Sequence, residues 1–178
     1  MTENVSQSGP KYVGFWKRLF AFFIDTLILV TIIIAFALAV YGRQYMTLSS
    51  EGKTLLFDVV VQGVLPALAA ILFWRYRGAT PGKMLIGARI VSAKTLGAPS
   101  TGQLIGRYFA YIVSMLPAMV AAVAIIVAST LSSRTDLQPW LVITPLLMWG
   151  FLWIAFDKRK QGWHDKLAGT VVILDEND

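Results

Sequence analysis

Four long apolar runs separated by short polar segments dominate the pattern of the chain. The runs cover residues 19–41, 55–74, 108–131 and 139–156. A hydrocarbon core of about 30 Å requires about 20 helical residues, within a range of roughly 17–25, and each run has that length. Because backbone polar groups in lipid must bond within their own segment, the pattern predicts an all-α membrane protein with four transmembrane helices.

Lysine and arginine residues are distributed unevenly between the polar segments. The N-terminal segment, the second loop and the C-terminal tail carry three, six and four of them, whereas the first and third loops carry two and one. Cytoplasmic segments are enriched in Lys and Arg, so the thirteen are predicted inside and the three outside. Both termini and the long second loop are therefore expected on the cytoplasmic side of a bacterial-type cytoplasmic (inner) membrane.

Composition agrees with a membrane domain and narrows the possible chemistry. Of 178 residues, 56% are hydrophobic and 15% charged, whereas soluble domains carry about 25% charged residues. The absence of cysteine excludes disulfides, thiol catalysis and thiolate metal sites. The net charge of +6 comes from basic residues beside the apolar runs, so no nucleic-acid partner is expected. No catalytic constellation, cofactor motif or metal cluster is visible in the sequence, and we do not expect an enzyme.

The two halves of the chain resemble each other. Arg18 opens the first apolar run and Arg107 opens the third, and a Gly/Lys motif with a short β-branched stretch follows the second and fourth runs. This pattern predicts two parallel two-helix repeats related by an axis along the membrane normal. The β-branched stretches are expected to form a short β pair in a small cytoplasmic cap. Asp25 in the first half corresponds to Ser114 in the second.

The polar ends of the chain are predicted to lie outside the membrane domain. Residues 1–13 are expected to form a disordered cytoplasmic tail, residues 14–174 the membrane domain, and residues 175–178 an acidic C-terminal tail. Ser100 or Thr101 is expected to cap an amphipathic helix that runs along the inner surface towards the third span.

Asp25 is the strongest candidate for a functional residue because it interrupts the first apolar run. If the inner boundary of the membrane lies near Leu19, Asp25 lies about 9 Å inside the hydrocarbon. A charge at that depth costs on the order of 2–3 kcal/mol and requires a partner, a proton or a water-filled cavity. Arg18 lies two turns earlier on the same helix face. The sequence leaves two roles open for Asp25, ion coupling and a structural bond to a neighbouring helix.

Motifs after the second and fourth runs complete a recognisable set of residues. They are Thr80, Pro81, Gly82, Lys83, Gly87, His164, Asp165, Lys166 and Gly169. Together with Arg18 and Asp25, these motifs resemble the RDD family, which is named for an arginine and two aspartates. Arg18 and Asp25 match the first two named positions, and the second aspartate is placed at Asp165, with Asp157 as the alternative. The resemblance covers roughly residues 14–173.

The resemblance identifies the protein as a membrane protein of this family, but it says less about the protein's activity. Some family members are similar to proteins proposed to exchange sodium, lithium or potassium for protons. We therefore expect cation/proton exchange or a transport subunit, with Asp25, Arg18, Asp165 and Asp157 as coupling candidates. The alternative is a non-transporting scaffold or interaction protein in which the same residues are structural. The expected partners are the lipid bilayer, monovalent cations and protons, and a second copy of the chain, since four spans make a thin wall for a solute pathway.

Two further patterns receive simpler interpretations. Residues 78–84 resemble a phosphate loop, but the glycine spacing is one residue short and Met84 replaces the hydroxyl residue that would bind magnesium. His164 is the only histidine and lacks the companions of a metal site. We expect it to cap the surface beside Asp165, with a pH-sensing role as the alternative.

Overall fold

The computed structural model describes residues 9–131 and 150–175. The described chain is mostly helical and contains a small antiparallel pair of β-strands. It divides into two compact units. The first unit is Trp16–Arg89, and the second unit combines the residues up to Phe15 with those from Ile90 onwards.

The first unit begins with a long apolar helical stretch. Helix α1 spans Phe15–Tyr41, and it is followed by a 3-10 turn at Gly42–Gln44 and by helix α2 at Tyr45–Ser50. The stretch is long and apolar enough to cross a membrane, and most of its large apolar side chains are exposed in the isolated chain. That outward apolar surface is the kind that a lipid bilayer covers.

A second apolar stretch in the same unit contains a π-helical segment. Helix α3 spans Leu55–Phe57, the π-helix spans Asp58–Val64, and helix α4 spans Leu65–Tyr76. Pro66 lies in the first turn of α4, directly after the π-helix. Because proline has no N–H to donate, it fits a point where the helical hydrogen-bond ladder changes register. This stretch also satisfies the length and composition of a membrane span.

Of the four predicted spans, the first and the second are therefore supported. The third predicted run lies within helix α6, Thr101–Leu131. Of the fourth run only residues 150–156 are described, and these are helical. The remainder of that run lies outside the described residues, so four transmembrane helices stay a prediction.

The N-terminus of α6 differs from the expected separate surface helix. A single continuous helix runs from Thr101 into the third apolar run. Ser100 caps it, since its Oγ accepts the N–H of Gln103 at 3.2 Å while Gln103 Oε1 accepts the N–H of Ser100 at 3.0 Å. This reciprocal pattern is a capping box, which holds the first turn in place without a break before Arg107.

A short helix, a glycine and a strand follow each other twice along the chain. The elements are α5 (Pro81–Met84), β1 (Ala88–Ser92), α7 (Trp163–Ala168) and β2 (Thr170–Leu174). Gly87 precedes β1 and Gly169 precedes β2, each with a positive φ of 62° that suits glycine. The two strands pair with each other, which confirms the predicted short β pair.

The strands supply a small hydrophobic core in the second unit. Val91, Val171 and Ile173 are buried together, and Tyr12 packs against them. Tyr12 also forms an antiparallel bridge with Ile173, and Val13 is fully buried. Residues 11–13 of the expected disordered tail are thus ordered, because their backbone groups pair with β2.

Candidate functional site

In the first unit, the carboxylate of Asp25 meets the N-terminus of α5. Its Oδ1 accepts a hydrogen bond from the backbone N–H of Gly82 at 2.7 Å, and its Oδ2 accepts one from the hydroxyl of Thr80 at 2.6 Å. Lys83 Nζ lies 3.9 Å from Oδ2 and donates to Thr80 Oγ1 at 3.2 Å. The side chain of Asp25 is 23% exposed. The partner that the intramembrane position of Asp25 requires is therefore the turn that begins α5 in the same unit.

The local sequence explains why α5 offers its N-terminus to Asp25. Thr80 has an extended backbone and Pro81 occupies the first helical position, where a missing N–H costs nothing. The Thr80 side chain does not cap its own helix. Its hydroxyl donates to Asp25 instead, and the N–H of Gly82, in the first turn of α5, donates to the same carboxylate. A negative charge at a helix N-terminus is electrostatically favourable.

Gly82 is required by the close approach of α5 to α1. A Cβ atom built on Gly82 would lie 2.2 Å from the carbonyl oxygen of Ala21 and 3.0 Å from Cγ of Asp25. Because the closest atom belongs to the backbone, rotation of a side chain cannot relieve the contact. The Thr-Pro-Gly-Lys motif thus has a steric requirement at Gly82 and an electrostatic contribution from Lys83.

Arg18 lies two turns before Asp25 on α1 and is only 3% exposed. Burial of an arginine to that extent requires polar or charged partners. From the sequence we also predict that Asp165 or Asp157 lies near Arg18, and since both acids belong to the second unit this stays a prediction.

In the second unit, Arg107 and Asp165 form an ion pair in which neither side chain is exposed. Arg107 Nη1 also donates to the hydroxyl of Thr170 at 2.5 Å, and Asp165 Oδ2 accepts the backbone N–H of Gly162 at 2.9 Å. A buried charge must be paired and hydrogen-bonded to be tolerated. One arginine on α6 therefore connects to the acid of α7 and to the first residue of β2.

His164 lies inside the second unit, and the expectation that it caps the surface is wrong. It is 2% exposed, and its ring stacks on Tyr111 with the centroids 3.9 Å apart and an interplanar angle of 16°. Its Nε2 lies 3.6 Å from Asp165 Oδ1. The physical reason is the packing of α7 against α6, which stacks the His164 ring on that of Tyr111.

Asp157 has a different and more exposed set of partners. Its carboxylate bonds to Lys166 Nζ at 2.5 Å and accepts the backbone N–H groups of Arg159 and Gln161 at 3.0 and 3.1 Å. Partial burial would raise the pKa of Asp157, but these hydrogen bonds outweigh it and hold that pKa below its ordinary value. Of the two candidates for the second aspartate, Asp165 is the one paired with an arginine.

The structure adds partners that the motifs do not reveal. Thr170 and Tyr111 carry no sequence signal of their own, whereas Arg107 could be suspected because it takes the position of Arg18 in the internal repeat. Within residues 9–131 and 150–175, no group of three or more His, Cys, Asp or Glu side chains converges to hold a metal ion. The arrangement consists of carboxylates held by backbone donors and by basic side chains.

Comparison with known proteins places the chain within one family. A sequence profile of the RDD family matches residues 12–169. The chain is also similar to "Uncharacterized protein RP437" of Rickettsia prowazekii (strain Madrid E), with 30% identity over 133 residues, which make up 73% of this chain and 58% of that protein. The chain thus spans less than two thirds of that relative's length. No solved structure matches it.

Proposed function

This chain belongs to the RDD family of membrane-associated proteins, and on that premise we propose that it is a multi-pass membrane scaffold whose arginine and aspartate residues are structural. One observation carries the proposal. The carboxylate of Asp25 on α1 accepts the backbone N–H of Gly82 in α5, and the carboxylate of Asp165 in α7 pairs with Arg107 on α6. In this function, Asp25 holds α1 to α5 in the first unit, and Asp165 holds α7 to α6 in the second unit.

The proposed topology has four membrane helices and cytoplasmic termini in a bacterial-type cytoplasmic membrane. It is supported by the two apolar helical stretches of the first unit and by the length of α6. The charge asymmetry of thirteen basic residues against three gives the orientation. With this orientation we propose that both short helices lie at the inner surface of the membrane.

The burial of the Arg107–Asp165 pair favours a structural role over ion handling. A carboxylate that binds and releases an ion must be reached by that ion, and Asp165 is fully buried. Its pairing with Arg107 also leaves little reason to accept a further cation, because the charge is already neutralised. The pair is best explained as a structural ion pair that holds α7 against α6.

Cation/proton exchange at Asp25 is the second candidate function, and a specific observation favours it. The Asp25 side chain retains 23% exposure, and the Lys83 ammonium is 3.9 Å from its nearest oxygen. This is the outer limit of an ion pair, so the carboxylate keeps accessible lone pairs. A monovalent cation or a proton would compete there with the hydroxyl of Thr80.

Liposomes that contain only the purified protein separate the two functions. A scaffold shows no cation-dependent proton flux in wild type, and Asp25→Asn lowers the Tm in detergent. Exchange requires wild-type flux that Asp25→Asn abolishes while the Tm is kept. Ser114→Ala is the matched control, because Ser114 occupies the position of Asp25 in the other half and its hydroxyl donates to the Ala110 carbonyl of its own helix. Flux in wild type would overturn the scaffold proposal.

A further inference from the structure

A second polar cluster lies in the first unit beyond the C-terminal end of α1, around the carboxylate of Asp58. Its Oδ1 accepts hydrogen bonds from the hydroxyl of Tyr45 at 2.6 Å and from Nε2 of Gln62 at 2.7 Å. Its Oδ2 accepts one from the hydroxyl of Thr54 at 2.7 Å. Gln62 Nε2 also lies 2.8 Å from Tyr45 Oη. Three side chains therefore converge on one carboxylate.

These hydrogen bonds stabilise the negative charge of Asp58 but do not neutralise it. All three donors are neutral groups, and Asp58 is the fourth residue of the apolar stretch that begins at Leu55. An acid within an apolar span needs a partner, and such a residue marks a functional site by default. Thr54 is 1% exposed, so one wall of the cluster is shielded from water. Shielding strengthens the attraction between the carboxylate and a cation.

The backbone at the same position is unusual. Asp58 begins the π-helix and Gln62 lies four residues later within it. π-helical turns are rare and are frequent at functional sites, because their poorer backbone geometry is otherwise selected against. The observation is independent of the side-chain hydrogen bonds and concerns the same two residues.

Aromatic packing fixes the hydroxyl of Tyr45 in the cluster. The Tyr45 ring lies 5.8 Å from the ring of Phe57 and 6.0 Å from that of Tyr41, measured between centroids. Phe57 also contacts Tyr41 edge to face at 5.2 Å. The hydroxyl is therefore held on a rigid base, as a ligand atom of a preformed site would be.

We propose that Asp58, Tyr45, Thr54 and Gln62 form a binding site for a monovalent metal cation of the sodium type. Hard cations take oxygen ligands, and the cluster offers two carboxylate oxygens, two hydroxyl oxygens and one amide oxygen. A hydroxyl that turns its proton away presents a lone pair, and rotation of the Gln62 amide replaces Nε2 by Oε1. A single negative charge matches a monovalent ion better than a divalent one. The site is independent of the role proposed for Asp25.

Thermal unfolding of the purified full chain in detergent tests the site. Samples in LiCl, NaCl or KCl are compared with N-methylglucamine chloride at equal ionic strength. Because a ligand that binds only the folded state stabilises it, at least one metal cation should raise the Tm saturably by about 2 °C or more. Equal Tm values in all four salts would overturn the proposal.

Variants assign the response to the cluster. Asp58→Asn should abolish the cation-dependent rise, whereas Glu51→Gln, which removes a carboxylate paired with Lys53 in the same loop, should leave it unchanged. If Asp58→Asn does not fold, Tyr45→Phe and Gln62→Ala each remove one ligand atom and should shift the midpoint of the salt titration several-fold upward. A full response at the wild-type midpoint in either folded variant would contradict the site.

Discussion

The junction between a long helix and a short helix is built differently in the two units. In the first unit the carboxylate belongs to the long helix, as Asp25 of α1, and the short helix offers Gly82. In the second unit the carboxylate belongs to the short helix, as Asp165 of α7, and the long helix offers Arg107. The aligned motifs put Asp165 at the position of Gly82 and Ser114 at the position of Asp25. In both units a carboxylate accepts a backbone N–H at the start of the short helix, but Asp25 belongs to another helix, whereas Asp165 caps its own.

This exchange gives the two junctions different physical weaknesses. The first junction needs a close approach, because the backbone N–H of Gly82 must come within 2.7 Å of Asp25. It therefore depends on the absence of a side chain at Gly82. The second junction is sealed from water and holds two opposite charges, so it depends on both charges being present. Three of the four predictions below test this difference and the fourth tests Asp157 of the second unit; they begin with the largest expected effect.

Loss of one charge from the sealed junction should be the most damaging change. Arg107→Met leaves Asp165 buried without its counter-charge, and such a change costs about 3–5 kcal/mol of unfolding free energy. Denaturant unfolding in detergent micelles measures the loss. The double variant Arg107→Met with Asp165→Leu removes both charges and should recover most of the stability. A single variant that unfolds like wild type would show that the pair contributes nothing.

A side chain at Gly82 should break the first junction by steric overlap. Gly82→Ala brings a methyl group to 2.2 Å from the Ala21 carbonyl oxygen, so α5 must move away from α1. Overpacking of this kind costs about 3 kcal/mol when the backbone has to shift. Gly63→Ala is the matched control in the same unit, since nothing lies within 4 Å of its Cβ position. Equal Tm values for the two variants would contradict the close approach.

The aligned positions Asp25 and Ser114 should differ when both are truncated. Asp25→Ala removes the acceptor of two hydrogen bonds from Thr80 and Gly82, and bonds to a charged group contribute about 2 kcal/mol. Ser114→Ala removes a hydroxyl that bonds to the Ala110 carbonyl of its own helix, which should change stability by less than about 0.5 kcal/mol. Thermal unfolding of both variants measures the contrast. Similar losses would indicate that the two halves do not divide these roles.

The sequence predicted the parts of the molecule that depend on local pattern. The apolar runs indicated α1 and α4, and the β-branched stretches indicated β1 and β2, because these signals lie within a few consecutive residues. The intramembrane position of Asp25 also pointed to a needed partner. The identity of that partner as Thr80 and Gly82 was not predicted, since they lie 55 and 57 residues away along the chain.

Burial was the property that the motifs predicted least well. His164 was expected at the surface because it is a polar residue beside Asp165 and Lys166 in a loop-like motif. Its burial results from stacking on Tyr111, and a contact between residues so far apart along the chain leaves no periodic trace in the sequence. The Arg107–Asp165 pair likewise arises from the packing of α7 against α6, which local propensity does not encode.

Asp157, a partly buried acid of the second unit, provides the smallest expected effect and a pH test. The pKa of Asp157 lies below its ordinary value because hydrogen bonds from Lys166 and two backbone N–H groups outweigh partial burial. A carboxyl with a lowered pKa stabilises the folded state above its unfolded pKa, near 3.8, and this contribution is lost as the pH falls through the folded value. Because the Lys166 side chain is 43% exposed, Lys166→Met should cost only about 0.5 kcal/mol at pH 7. The difference from wild type should shrink as the pH falls below 3.8 and through the lowered folded pKa of Asp157, and it should vanish once that carboxyl is protonated in both proteins. Lys158→Met is the control for a change in net charge, and a pH-independent loss in Lys166→Met would assign the effect to packing over Trp153 instead of to the ion pair.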